Sequence, residues 1–301
     1  MSDPRLLEIG DEELSCLVSP TGATLHRVRH GAVEVLSAPY AVEPSRGHHG
    51  AVLAPWPNRV ADAAYRFDGV QHRLPVNDHA FGHAIHGFVF DREWHVEAHG
   101  EHAVRLSTDL ADEPGYPFEI HLEVAYRVEH GTLRCSATWE NVGDTIAPFG
   151  IGFHPYLRLD GALETWTVHL PAGSVMDTDG STKLPLDARP TAPEVDFVDP
   201  ARIGARSFSR AYGELERDER GVATVQVASR TRRITITCSS AFRWVQLFTA
   251  DLPEPGLRRA GLAVEPQTCP PNAFATGADL VRLAPRERGA GWWSLRPELA
   301  P

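Results

Sequence analysis

The stretch Phe118-Glu-Ile-His-Leu-Glu-Val-Ala-Tyr-Arg-Val-Glu-His-Gly-Thr-Leu-Arg-Cys-Ser-Ala-Thr-Trp139 decides the architecture. Phe118, Ile120, Leu122, Val124, Tyr126 and Val128 alternate with mostly polar residues. Glu129-His-Gly131 then interrupts, and Leu133, Cys135, Ala137 and Trp139 resume the alternation. A period of two sends every second side chain to one face, so the segment reads as a long hairpin with one buried face. The pattern recurs at Val225 and Val227, then at Ile234, Ile236 and Cys238, across the polar Ser229–Arg233. Shorter alternations lie at Leu14–Val18, Val104–Leu106 and Trp166–Leu170, and 25 Gly and 24 Pro supply turns between them. Helical periodicity is weak; Ala201–Tyr212 is the segment expected to hold one or two short helical turns. No Pro/Ser-rich linker divides the chain, and no repeat is visible. The expected fold is all-β: a single-domain large β-sandwich with few short helices over residues 1–285. Residues 286–301, rich in Arg, Gly and Pro, are expected to form a loosely ordered C-terminal tail on which Trp292 and Trp293 dock.

Composition limits the function. Of 301 residues, 42% are apolar and 23% charged, enough for a packed core. With 29 Lys plus Arg against 40 Asp plus Glu, the net charge is −11. Such a chain is poorly suited to neutralising nucleic-acid phosphates and repels anionic membrane surfaces, so neither is an expected partner. No run of apolar residues is long enough to span a bilayer. Met1–Gly10 has no apolar core of a secretory signal, and a cytoplasmic location is expected. Lys183 is the sole lysine. Cys16, Cys135, Cys238 and Cys269 form no closely spaced pair. The first three sit in alternating runs and read as buried free thiols, and Cys269 too reads as packing rather than as a nucleophile.

Three segments break the alternation and concentrate polar groups beside Gly and Pro, where a β domain builds its sites. The first, Gly50–Gly87, contains Ala54-Pro-Trp-Pro-Asn-Arg59 and Ala84-Ile-His-Gly87. Arg59 offers forked donors to a ligand or forms a surface ion pair. His86 is a ligand contact or a satisfied half-buried histidine, and Gly87 leaves room for a ligand to approach the backbone. His79, His83 and His86 would share a face on a helix and could bind zinc. Gly82, Gly87 and the Asn77-Asp78 turn signal argue for an extended path instead, and no metal site is expected. The second segment is Phe149-Gly-Ile-Gly-Phe-His-Pro-Tyr-Leu157, where Pro155 biases His154 to an extended backbone and two glycines leave space beside it. His154 is an acid/base candidate or a core histidine bonded to a carbonyl. In the third, Gly261-Leu-Ala-Val-Glu-Pro-Gln-Thr-Cys-Pro-Pro-Asn-Ala-Phe274, an apolar strand ends at Glu265. That carboxylate is either solvated or held with a raised pKa.

Together, Asn58-Arg59, His86-Gly87, His154-Pro155-Tyr156 and Glu265-Pro266 resemble, in order and spacing, the aldose 1-epimerase (galactose mutarotase) family. Asp68-Gly69 and Leu74-Pro75-Val76-Asn77 are similar to it as well. The resemblance implies a β-sandwich of the galactose mutarotase type with an open cleft on one sheet. It implies an isomerase that interconverts the α and β anomers of a free monosaccharide by opening and reclosing the ring, without a cofactor. By the same resemblance, Glu265 is the general base for the anomeric hydroxyl and His154 the general acid for the ring oxygen. His86 hydrogen-bonds the sugar near that oxygen, Arg59 contacts a hydroxyl, and Asn58 supports it. Many members carry a hydroxyl-binding Asp where Phe208-Ser-Arg-Ala-Tyr-Gly-Glu-Leu215 places Ser209. This departure alters recognition of the far hydroxyls, unless Asp199 or Glu214 substitutes. No Lys/Arg cluster suggests a sugar phosphate. The rival reading is a non-catalytic carbohydrate-binding or sugar-sensing protein on the same fold.

Overall fold

The computed structural model describes residues 6–37, 47–193, 195–251 and 258–299. Met1–Arg5, part of the N-terminal segment read above, and the last two residues of the expected tail lie outside the described residues.

Two antiparallel sheets, of twelve and nine strands, account for most of the chain. The hairpin read from sequence is the middle of the nine-stranded sheet. Ile120–Glu129 pairs with Thr132–Asn141, with Leu122 opposite Trp139, Val124 opposite Ala137 and Tyr126 opposite Cys135. His130 and Gly131 close it, both at positive φ (50° and 66°), which is what a two-residue loop needs to follow the strands' twist. The buried faces of both sheets meet in one core. Phe153 of the larger sheet packs on Trp293 of the smaller at a ring separation of 5.8 Å, and the Tyr126 hydroxyl crosses to donate to the Ala23 carbonyl. The β-sandwich is therefore the observed fold. Among the described residues helix is limited to Ala273–Thr276 and two short 3-10 turns, Ala61–Ala63 and Leu163–Thr165, and no helix is long and apolar enough to cross a membrane.

Two expectations are corrected. Arg288–Leu299 is not a tail but a twelve-residue strand inserted between Thr132–Asn141 and Arg232–Cys238. Its glycines are sites of close packing: a side chain on Gly289 would strike the Trp139 ring, 2.1 Å from its nitrogen. Pro297 lies past the last residue paired with Thr132–Asn141, so no ladder bond on that side is asked of its nitrogen. Its Gly, Pro and Arg content imitates a loop because neighbouring strands supply the bulk. Ala201–Tyr212 is not helical either. It holds the strand Ala201–Arg202 and the start of Ser209–Leu215, which pairs with Trp244–Phe248 and Ala172–Asp177. Pairing on both sides overrides a weak helical period.

Candidate active site

Leu262–Gln267 is buried throughout and runs through the middle of the larger sheet. Leu262 and Val264 face the sandwich core. Ala263 belongs instead to a small cluster with Tyr156 and Ala250. Alternation therefore sends Glu265 and Gln267, with Ala263, to the opposite face, and the site is built there.

Strand register assembles it. Gly152 is opposite Gln267 and Tyr156 opposite Ala263, which sets His154 level with Glu265. On its other side Glu265 is opposite Gln246, and Gln246 is opposite Ala211. His154, Glu265, Gln246 and Ala211 thus form one row running across four neighbouring chain segments. His154 Nε2 lies 3.4 Å from Glu265 Oε1, and Gln267 Nε2 donates to Glu265 Oε2 at 3.0 Å. The glycines beside His154 serve packing: side chains on Gly150 and Gly152 would strike Cys269 Sγ at 2.5 Å and Pro57 Cβ at 2.9 Å.

A second, smaller ladder brings in the first segment. Arg59–Val60 pairs with Ala84–Ile85, and this places Asn58 beside His86. The Asn58 amide donates to His86 Nδ1 at 3.1 Å, and the His86 amide donates to the Asn58 carbonyl. Both residues sit at positive φ (57° and 66°). Because Nδ1 accepts, the ring proton is on Nε2, which is left as the donor. Asn58 Oδ1 accepts from the Arg59 amide, and Arg59 Nε donates to Asp78 at 2.7 Å. Gly87, at φ 73°, is required by the protein itself: a side chain there would meet the Ala54 carbonyl oxygen at 1.9 Å.

All six candidate residues, Asn58, Arg59, His86, His154, Ser209 and Glu265, line one cavity of about 590 Å³. Burial pushes the Glu265 carboxyl well up from its ordinary value, opposed by the Gln267 hydrogen bond and by Arg59. Burial, with the nearby His48 and His49, pushes His154 well down, and burial likewise depresses His86. Ser209 Oγ accepts from Gln246 Nε2 at 2.8 Å. Asp199 and Glu214 are not among the lining residues, and Glu214 faces a separate cleft near Gly173. The histidine triplet does not converge. His83 is tied to the Asp62 amide and the Thr182 carbonyl, His79 is exposed, and among the described residues no group of His, Cys, Asp and Glu is arranged to hold a metal ion. The four cysteines are free and buried, and burial pushes the Cys269 thiol up to about 12, a packed rather than reactive state.

The sequence reading missed several lining residues. His48 stands 4.4 Å from the His86 ring and 6.4 Å from the His154 ring, and burial first, then His49 and Arg59, push it down to about 4. Asp251 also lines the cavity and accepts from Ser207. The lining aromatics are Tyr156, Phe208 and Phe248; no tryptophan is among them. Gln246 was missed as well; its one trace in the sequence is that it interrupts the apolar run Trp244-Val-Gln-Leu-Phe248, and it is 1% exposed.

The chain and its fold have counterparts among known proteins. The sequence model of the aldose 1-epimerase family matches residues 5–296, and the chain belongs to that family. The chain is 31% identical over 238 residues to the Escherichia coli K12 protein YihR, covering 78% of this chain and 75% of that protein. It is 29% identical over 119 residues to human galactose mutarotase, 38% of this chain and 33% of the human protein. The GalM/aldose epimerase homologue from C. elegans has the same fold, with a TM-score of 0.87 at 18% identity over 99% of this chain and 100% of that one. The galactose 1-epimerase of Lactobacillus acidophilus superposes with a TM-score of 0.80 at 19% identity, over 97% and 93%.

Proposed function

We propose that this protein is a mutarotase, interconverting the α and β anomers of a free aldose. The observation that carries the reading is the pair His154 Nε2 and Glu265 Oε1, 3.4 Å apart on the wall of a sugar-sized cavity. The anomeric hydroxyl oxygen and the ring oxygen share one carbon, and two proton-carrying groups this close suit two oxygens that close.

The steps follow from that placement. The Glu265 carboxylate takes the proton from the C1 hydroxyl, and the C1 oxygen becomes a carbonyl. The C1–O5 electron pair moves to O5, which takes a proton from His154 Nε2. The open aldehyde turns about C1–C2. On closure O5 attacks the other carbonyl face, His154 takes back its proton, and Glu265 returns one to the C1 oxygen. Both groups end as they began. His86, held with its proton on Nε2 by the Asn58 amide, donates to the sugar near the ring oxygen. Arg59, anchored through Nε to Asp78, presents its outer guanidinium nitrogens to a hydroxyl.

Burial favours this chemistry. A carboxylate with a raised pKa is a stronger base, and an imidazolium with a lowered pKa is a stronger acid. Positioned acid–base groups supply about 10²–10⁴-fold. Arg59 and Lys183 share the cavity wall with Asp78, Asp179, Asp251 and Glu265, a balance that suits a neutral sugar better than a sugar phosphate. The test is exchange NMR or polarimetry across a panel of aldoses. Accelerated anomer exchange is expected for at least one. Sugar binding without acceleration for any sugar would make the protein a carbohydrate-binding relative instead.

A further inference from the structure

Three histidine rings close one corner of the cavity. His48 stands 4.4 Å from His86 and 6.4 Å from His154, and those two stand 5.4 Å apart. The mutarotase reading, on which this inference rests, engages His86 and His154 near the ring oxygen and leaves His48 without a task. A pyranose ring oxygen has two neighbours, C1 and C5. The strand of Glu265, on the C1 side, flanks the His154 segment on one side, and Val52–Leu53 flanks it on the other. The second flank continues back to His48: the His154 amide donates to the Ala51 carbonyl, and the Gly50 amide donates to the His154 carbonyl. The side of His154 away from Glu265 therefore faces C5 and its substituent. We propose that His48 hydrogen-bonds the hydroxyl carried on C6 and makes this enzyme prefer aldohexoses to aldopentoses and 6-deoxyhexoses.

Three observations support the assignment. The turn that carries His48 is fixed in place. His48 has φ 52°, with Gly47 at 68° and Gly50 at 70°. The Leu25 amide donates to the Gly50 carbonyl, and a side chain on Gly50 would meet the Leu25 carbonyl oxygen at 2.0 Å. A residue other than glycine held in the left-handed region by its surroundings is characteristic of functional sites. Second, the ring packs edge-on against Phe90 at 4.7 Å and lines the cavity, and its nitrogens have no hydrogen-bond partner among the described residues. Third, burial, His49 and Arg59 push its pKa down to about 4. At pH 7 the ring is therefore neutral, with one donor and one acceptor, and a primary hydroxyl offers the matching acceptor and donor.

A site built to hydrogen-bond a hydroxyl discriminates against the analogue lacking it. The experiment measures anomer exchange by NMR for glucose beside xylose and 6-deoxyglucose, and for galactose beside L-arabinose and 6-deoxygalactose. In wild type, kcat/KM for the accepted hexose should exceed that of its 6-deoxy analogue by about 10- to 100-fold. The difference should fall mainly in KM, because the bond exists before and during ring opening. His48→Phe keeps a ring against His86 and Phe90 but removes both nitrogens, and it should bring the ratio close to one by slowing the hexose alone. His48→Asn, which tolerates the left-handed backbone and retains a donor and an acceptor, should keep part of the preference. If His48→Phe does not fold, His48→Gly replaces it, since glycine suits that backbone, and the same loss is expected. A hexose preference unmoved in the folded variant refutes the assignment. Equal kcat/KM for hexose and 6-deoxy analogue in an active wild type overturns the C6 reading alone. Folded protein that exchanges no sugar overturns the mutarotase reading and this one with it.

Discussion

The hairpin of the smaller sheet and the Glu265 strand of the larger one are both regular antiparallel β-structure, yet they spend their polar residues differently. In Ile120–Glu129 the inward positions are apolar and the outward ones include Glu123 and Arg127. Each side chain goes where its solvation is favourable. In Leu262–Gln267 both faces are covered, and a carboxylate and an amide sit among apolar neighbours. Glu265 is 2% exposed with its ordinary ionisation opposed by burial. The first region is what folding asks for; the second accepts a destabilising arrangement, which is characteristic of a site.

The contrast can be broken from either side. The largest effect expected is on rate: Glu265→Gln and His154→Asn should each lower anomer exchange by about 10²–10⁴-fold. Glu265→Gln should not weaken the fold. A carboxyl whose folded-state pKa is raised above its unfolded value favours folding less and less as pH climbs from that unfolded value through the folded one. Glutamine carries no such dependence. At pH 8 the melting temperature of Glu265→Gln should therefore equal or exceed that of wild type by calorimetry; a clear fall would mean the carboxylate is structural. The opposite signature is expected of Trp293→Ala in the core between the sheets, a loss of about 3–5 kcal/mol in denaturant unfolding, with the remaining folded protein still active.

The pH dependence of kcat/KM sharpens the comparison further. The working pair holds one proton between Glu265 and His154, so the profile should be bell-shaped. Because burial moves the carboxyl up and the imidazole down, the acid limb should lie below the ordinary histidine pKa and the basic limb above the ordinary glutamate pKa. Glu265→Gln should abolish the bell, and a flat profile in wild type would contradict the assigned pair. The smallest effect should come from Glu123→Ala on the solvent face of the hairpin. Its ion pair with Arg105 spans 3.6 Å between an exposed guanidinium and a half-buried carboxylate, and the change in stability should stay within about 0.5 kcal/mol.

Much of this was legible in the chain. A two-residue period is written locally, so the hairpins at Phe118–Trp139 and Val225–Cys238 could be read without knowing their neighbours. The candidate residues at Arg59, His86, His154 and Glu265 stood out because they share loops and strand ends with Gly and Pro. The Arg288–Leu299 strand did not. Its inward bulk comes in part from Trp139 packing over Gly289, so its own residues under-report the packing. Gln246 was overlooked because a lone amide in an apolar run has no visible partner until register sets it opposite Glu265.

The sequence by itself determined the β class, the hairpins and the residue types available for proton transfer, because side-chain alternation and the chemistry of Glu and His act at short range along the chain. Only the tertiary structure decided that residues more than a hundred positions apart stand 3.4 Å from one another, and that the site occupies the face turned away from the sandwich core. Those facts depend on which strands become neighbours and in what register, and a register shifted by one residue would turn Glu265 into the core instead.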